Sequence, residues 1–124
     1  RFGDQAADIG DLVYTMPGDA YIKNLTHITA MGELAIKMVR ESVNSFINND
    51  EALADEVIAL DDQMDDLFIE VKTELIELIK KDGNNGDQGI ELMMVAKYLE
   101  RIGDHAVNVA EWTKYNETGV HQKF

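Results

Sequence analysis

The sequence of 124 residues contains no cysteine and only one proline, and these absences exclude several classes of structure. Without cysteine there are no disulfides, thiolate metal sites or cysteine nucleophiles, which fits a cytoplasmic location. Aromatic residues make up only 7% of the chain. No apolar run approaches the roughly 18–20 residues that span a bilayer, so direct membrane insertion is not expected. The polar, acidic start at Arg1 is not typical of a signal peptide.

Basic residues are also scarce. Lys and Arg number 11 against 24 Asp and Glu, which gives a formal net charge of −13. Nucleic acid and anionic membrane surfaces both require a basic protein surface, so neither is an expected partner. The acidic surface of this chain is instead compatible with binding of cations. Hydrophobic residues make up 45% of the chain, enough for one folded domain with a modest core.

Apolar residues recur every three or four positions in three long segments, at about residues 20–48, 51–81 and 88–117. The stretches "NND" and "DGNNGD" between them are typical of loops. The sequence therefore predicts an all-α fold, an antiparallel three-helix bundle over residues 20–118. Its expected core positions include Ile28, Met31, Met38, Phe46, Val57, Met64, Phe68, Val71, Leu92, Met93, Leu99 and Ala106.

One phrase occurs twice in the chain. "RFGDQAADIGDLV" at the start aligns without a gap with "RIGDHAVNVAEWT", which begins at Arg101. By this repeat, residues 1–16 are expected to be the C-terminal end of the third helix of a preceding three-helix repeat. Since the sequence does not begin with methionine, we expect its natural start to lie further upstream.

Acidic residues interrupt the apolar pattern of two helices. In the second helix Asp61 occupies an expected core position and Asp65 follows one turn later. In the third helix acidic and amide side chains form a stripe at helical spacing: Glu100, Asp104, Asn108 and Glu111. Carboxylates four residues apart repel each other, and a multivalent cation between the two helices would remove that repulsion. Oxygen ligands suit magnesium, calcium, manganese or iron, although an acidic stripe is equally typical of a solvated helix face.

Helical spacing also predicts the surroundings of several single residues. Gly103 interrupts the third helix, where glycine costs about 1 kcal/mol relative to alanine, so either a neighbouring helix or an ion cluster must approach closely. We expect Trp112 and Tyr115 to pack within the bundle, and His27 to lie in a loop or terminal segment. The motifs Glu-x-x-His, His-Glu-x-x-His, Gly-x-x-x-x-Gly-Lys and Gly-x-Ser-x-Gly are all absent from the sequence, which makes an enzyme the weaker hypothesis.

The stretch "MVAKYLERIGDHAVNVAEW" from Met94 to Trp112 resembles the signature of the phosphate-uptake regulator PhoU family, and "ALDDQMDDLF" resembles its second-helix motif. The resemblance implies two three-helix repeats, each with E/D-x-x-x-D motifs that can bind a multinuclear metal cluster. Most of the first repeat would be missing from this chain. Carried over by position, the implied metal ligands are Asp61, Asp65, Glu100, Asp104 and Asn108 here, and Asp4 and Asp8 in the first repeat.

The resemblance also implies a function. It indicates a non-enzymatic accessory protein of the phosphate-specific transport system, cytoplasmic and homodimeric. Such a protein links the phosphate ABC transporter ATPase to a sensor histidine kinase and represses phosphate uptake and phosphate-starvation signalling. The bound metal would be iron, manganese or magnesium, and no organic cofactor is expected. Two alternatives stay open: a metal-dependent enzyme that uses the carboxylate cluster, and a PhoU-like domain of a sodium–phosphate cotransporter.

Overall fold

The computed structural model describes residues 22–117 of the chain, and the surroundings of side chains from residue 26 to residue 115. Three α-helices follow one another, α1 (Ile22–Asn48), α2 (Glu51–Lys81) and α3 (Gly86–Glu117). A single 3-10 turn, Gly83–Asn85, joins α2 to α3. The described residues contain no strand. The predicted all-α class is confirmed, and α3 begins two residues earlier than its apolar spacing indicates.

Contacts between the helices define an up-down-up arrangement. Near its start α1 contacts the second half of α2, where His27 lies 2.9 Å from Glu74. The beginning of α2 meets the end of α3, where Lys114 Nζ donates to Asp55 Oδ1 at 2.6 Å. Each pair is therefore antiparallel, which makes α1 and α3 parallel neighbours. All three helices pack against one another around one core.

Side chains of polar residues define both connections. Asn49 takes a positive φ of 50° at the end of α1, and Asp50 then caps α2 by accepting a hydrogen bond from the Leu53 amide at 3.0 Å. Asp82 ends α2 and accepts from the Asn84 amide at 3.0 Å. Asn85 donates from Nδ2 to the Leu78 carbonyl at 2.9 Å, so an otherwise unpaired carbonyl at the end of α2 is satisfied. These bonds fix two tight turns.

The core is a narrow apolar stripe from each helix. Its largest fully buried side chains include Ile28, Met31, Met38, Met64, Leu75 and Leu92. At one end of the bundle the stripe becomes polar, because Ser42, Ser45 and Thr113 are buried there. Ser45 Oγ lies 2.7 Å from the Ser42 carbonyl and 3.2 Å from Thr113 Oγ1. These hydroxyls therefore have the partners that buried polar groups require.

The predictions that placed Phe46, Trp112 and Tyr115 inside the bundle were wrong, since these side chains are 45%, 50% and 46% exposed. Phe68 and Met93 are partly buried and pack against the core, as expected. A three-helix bundle buries only the side chains that point to its axis, and the three exposed aromatic residues lie on its flanks. His27 lies within α1 and faces Glu70 and Glu74 of α2, so its expected place in a loop or terminal segment was also wrong.

Gly103 is buried, and its surroundings are methionines. A Cβ at this position would lie 3.4 Å from Met64 Cε and 3.5 Å from Met38 Sδ. Of the two explanations for this glycine, the structure therefore supports the close approach of neighbouring helices. The predicted segment of residues 1–16 lies outside the described residues, as does residue 118. No helix within residues 22–117 is long and apolar enough to cross a membrane.

Candidate metal centre

Four carboxylates from α2 and α3 meet on one side of the bundle. Asp61 and Asp65 are one turn apart on α2, and Glu100 and Asp104 are one turn apart on α3. Because these two helices are antiparallel neighbours, the two pairs lie close enough to influence one another electrostatically. We call these four residues the carboxylate cluster. The structure therefore brings together the four acidic residues that the sequence predicts as ligands in this repeat.

Asp61 is the most constrained member of the cluster. Its Oδ1 atom is buried and makes no hydrogen bond to any described residue. Burial is the largest cause that raises the pKa of this carboxyl, followed by the negative charges of Asp65 and Asp104. A buried carboxylate oxygen without a donor is unfavourable in its charged form. A nearby positive charge or a bound proton would therefore stabilise Asp61 in the folded state.

Asp65 shares this electrostatic environment. Burial again is the first cause that raises its pKa, and the charges of Glu100 and Asp104 across the helix interface come next. Both α2 carboxylates are therefore held in the field of the α3 pair. If Asp61 and Asp65 lay on a face of α2 turned away from α3, the charges of Glu100 and Asp104 would not raise the pKa of Asp65. The arrangement concentrates negative charge between the two helices.

Glu100 is the one cluster member with a local cation. Its side chain is 15% exposed and accepts a hydrogen bond from Lys97 Nζ at 2.8 Å. This hydrogen bond is the main reason that the pKa of Lys97 is raised. The same Nζ atom lies 5.2 Å from the centre of the Phe68 ring, within the range of a cation–π contact. Lys97 is itself exposed, so it compensates the cluster only weakly.

The remaining predicted ligands lie apart from this cluster or outside the description. Asn108 is exposed on α3 one turn beyond Asp104, and Asp4 and Asp8 lie outside the described residues. Within the described part of the chain, no three His, Asp or Glu side chains converge closely enough to hold one ion as they stand. The cluster is thus a set of neighbouring carboxylates whose side chains would have to move closer together to share a cation.

The donor chemistry of the cluster nevertheless fits a hard cation. All four members offer carboxylate oxygens, which magnesium, manganese and iron accept. The buried Oδ1 of Asp61 has no hydrogen-bond donor, and burial followed by neighbouring carboxylates raises the pKa of Asp61 and Asp65, so a positive charge would stabilise the charged forms of both. A bound cation would supply that charge.

Fold and cluster together define an acidic three-helix bundle with paired carboxylates on adjacent helices. Comparison of the sequence with known families finds the PhoU domain over residues 28–113. The match covers most of the chain and includes both halves of the carboxylate cluster. The chain belongs to the PhoU family.

Several curated relatives carry the description phosphate-specific transport system accessory protein PhoU homolog. The relative from Clostridium acetobutylicum is 33% identical over 119 residues, which are 96% of this chain and 54% of the relative. The relative from Xylella fastidiosa strain 9a5c is 34% identical over 111 residues, 90% of this chain and 47% of the relative. The relative from Aquifex aeolicus is 37% identical over 101 residues, which are 82% of this chain and 46% of the relative. This chain spans about half the length of these relatives.

One feature of the surface was missed by the sequence reasoning. Phe46, Val109 and Trp112 line an open apolar cavity of about 270 Å³ between α1 and α3. The signal was present in the sequence, because Val39 and Phe46 are one heptad apart and lie beside the core positions of α1. Their apolar character made both resemble core residues, but Val39 is only partly buried against the core and Phe46 is exposed.

Proposed function

We propose that this chain belongs to an accessory and regulatory protein of the phosphate-specific transport system. The observation that carries the proposal is the PhoU domain over residues 28–113, which contains all four residues of the carboxylate cluster. Its relatives, described as phosphate-specific transport system accessory proteins, share 33–37% identity in three bacteria. The proposed role is non-catalytic. It consists of repressing phosphate uptake and the phosphate-starvation response when phosphate is plentiful.

The proposed partners are the ATPase of a phosphate ABC transporter and a sensor histidine kinase, both reached from the cytoplasm. An adaptor of this kind works by binding, so it requires surfaces rather than a reaction centre. The bundle presents two contrasting surfaces, the acidic cluster between α2 and α3 and the apolar cavity between α1 and α3. A homodimer is also part of the proposal.

We further propose that the carboxylate cluster binds iron, manganese or magnesium. Asp61, Asp65, Glu100 and Asp104 would hold it, with Asn108 as a neutral neighbour. The metal would supply positive charge that cancels the repulsion between α2 and α3. Asp61 would bind it through the Oδ1 atom that lacks a hydrogen-bond donor. Glu100 would bind the metal in place of its hydrogen bond with Lys97. In the first repeat, Asp4 and Asp8 would serve the equivalent site.

The metal proposal is tested by elemental analysis of the purified protein. The test variant combines Asp61→Asn, Glu100→Gln and Asp104→Asn, and we expect it to lose the stoichiometric metal that the wild type retains. The control variant removes three exposed charges instead, through Glu56→Gln, Asp62→Asn and Asp66→Asn, and keeps the metal. Equal metal content in all three proteins would mean that the carboxylate cluster does not hold the metal.

The regulatory proposal is tested in a bacterium that lacks its own PhoU protein. The longest available form of the protein is expressed there with a reporter of the phosphate-starvation response. We expect repression of the reporter in high phosphate, and retention of the transporter ATPase and the kinase cytoplasmic domain on the immobilised purified protein. If the reporter stays active and neither partner is retained, the adaptor role is wrong, whatever the metal analysis shows.

A further inference from the structure

His27 of α1 faces two carboxylates of α2, one at each nitrogen of its ring. Nδ1 lies 2.9 Å from Glu74 Oε1, and Nε2 lies 3.4 Å from Glu70 Oε2, within the range of an ion pair. The two glutamates are one turn apart on α2. The side chains of His27 and Glu74 are 26% and 18% exposed, whereas that of Glu70 is 57% exposed. We call these three residues the His27 cluster.

The number of protons on the imidazole ring decides whether both contacts are favourable. Ionised carboxylates only accept hydrogen bonds, and a neutral imidazole carries a single N–H. A neutral His27 can therefore donate to one glutamate only, and its other nitrogen turns a lone pair toward the second. A protonated ring carries an N–H on each nitrogen, and its positive charge offsets the repulsion between carboxylates four residues apart. The observed geometry, with an oxygen near each nitrogen, therefore suits the protonated ring.

The surroundings of His27 leave the histidine itself as the group that changes charge near neutral pH. Among the described residues, α2 supplies both of its charged partners and α3 supplies none. On α1, Lys23 lies one turn before His27. Lysine and glutamate ordinarily keep their charges between pH 6 and pH 8, whereas histidine ordinarily gains or loses its proton there.

The His27 cluster is also separate from the carboxylate cluster. Glu70 and Glu74 lie on the side of α2 that faces α1, because both lie close to His27. Asp61 and Asp65 lie on the side that faces α3, where the charges of Glu100 and Asp104 act on them. A metal ion held between α2 and α3 would therefore not occupy the contact between α1 and α2.

We infer that the His27 cluster is a proton-dependent clamp, which holds the beginning of α1 against α2 when His27 is protonated and loosens it when His27 is neutral. The stabilising contacts are complete at acidic pH and are lost as the pH rises through the range in which histidine deprotonates. The effect is local, because helix ends open at a lower free energy than the core of a bundle. The next turns of α1 stay anchored by the buried Met31 and Met38. The clamp would give this bundle a response to pH that is independent of metal binding.

The test is amide hydrogen exchange of the full chain in chelator at constant ionic strength, with rates corrected for the intrinsic effect of pH. Protection at residues 26–31 is compared with protection at residues 38–45, nearer the other end of α1. In the wild type we expect protection at 26–31 to fall by about three- to tenfold between about pH 6 and about pH 8, relative to 38–45. In His27→Gln we expect no such fall, because glutamine does not ionise.

Two variants of α2 test the partners of the ring. Glu74→Gln should reduce the pH response more than Glu70→Gln, because Glu74 is closer to the ring and less exposed. Two matched controls should keep the full response. His105→Gln removes an exposed histidine of α3, and Glu77→Gln removes an exposed carboxylate of α2.

The readout is the change of protection with pH, so a variant that merely weakens α1 at every pH does not imitate the loss of the clamp. The inference is overturned if the wild type shows no pH response at residues 26–31, if His27→Gln responds as the wild type does, or if protection rises with pH. Circular dichroism verifies that each variant folds. Should His27→Gln not fold, an unchanged response in both Glu70→Gln and Glu74→Gln overturns the inference by itself.

Discussion

At the scale of single residues, position within the bundle decides what a carboxylate does. Asp62 and Asp66 point to solvent and belong to the general acidic surface. Asp61 is their close neighbour in sequence, yet one of its oxygens is buried without a donor. Burial and the nearby carboxylates raise its pKa above the ordinary value. The charged form of Asp61 therefore opposes folding unless a proton or a cation neutralises it.

A first prediction concerns Asp61→Asn in metal-free protein. A group whose folded-state pKa is raised contributes stability below its unfolded pKa of about 3.9, and that contribution is lost as pH rises through the folded value. Asparagine does not ionise, so the variant does not lose stability in this way as the pH rises. We expect it to be more stable than the wild type at pH 7 by about 1 kcal/mol, or roughly 4–8 °C in melting temperature, and the gain to shrink toward pH 4.

The measurement is thermal unfolding of both proteins in chelator from pH 4 to pH 8, with Asp62→Asn as the matched control. The control changes the same charge on the exposed side of α2 and should shift the melting temperature much less. In saturating metal the order of the two proteins should reverse. A variant less stable than the wild type in chelator at neutral pH would contradict this account of Asp61.

At the scale of helices, Gly32 of α1 and Gly103 of α3 differ in their surroundings. Gly103 is buried against Met64 and Met38, so the core of the bundle determines the space there. A Cβ at Gly32 would meet no atom of the described residues within 4 Å beyond its own helix backbone and chain neighbours. The sequence shows both as glycines inside apolar helices, where each costs about 1 kcal/mol in helix propensity. Contacts explain the glycine at position 103, whereas nothing in the described packing requires a glycine at position 32.

A second prediction compares two substitutions at Gly103. Alanine places its Cβ 3.4–3.5 Å from flexible methionine side chains and improves helix propensity, so its free energy of unfolding should stay within about 1 kcal/mol of the wild type. Leucine overfills the same space and should cost about 1–3 kcal/mol or more. Urea denaturation followed by circular dichroism measures both. Equal stability of the two variants would mean that α3 does not pack against Met64 and Met38 as described.

At the scale of the whole molecule, the dominant feature is an excess of negative charge on a small bundle. The formal net charge of −13 acts against compactness through self-repulsion. Few ion pairs between helices offset it in the described part of the chain, and Lys114 with Asp55 is an exposed pair. Exposed pairs contribute little. Association, metal binding and ionic strength should therefore all affect stability more than in a neutral bundle.

A third prediction follows for simple salt. Raising sodium chloride from ~50 mM to ~500 mM shortens the screening length from about 14 Å to about 4 Å. We expect the melting temperature in chelator to rise by several degrees, because repulsion in the folded state weakens. The variant with Glu56→Gln, Asp62→Asn and Asp66→Asn carries three fewer negative charges and should respond less. A melting temperature that falls with salt would show that attractive pairs, not repulsion, dominate.

The sequence by itself determined the helical elements, because apolar spacing and loop composition act locally. It identified α2 from Glu51 to Lys81 and placed Asp61 among core positions. It also identified the family through a stretch in α3, since a signature is a property of the order of residues. The pairing of Asp61 and Asp65 with Glu100 and Asp104 was predictable once the helices were antiparallel.

Only the tertiary structure decided which apolar residues are buried. Phe46 and Met38 have similar spacing in α1, yet Met38 is fully buried and Phe46 is 45% exposed. Burial depends on the angle at which each residue faces two other helices, and that angle depends on how all three helices rotate about their axes. The same rotation gives Gly103 methionine neighbours and leaves Gly32 without a close contact among the described residues. Non-local packing of this kind is not encoded in the spacing of any one helix.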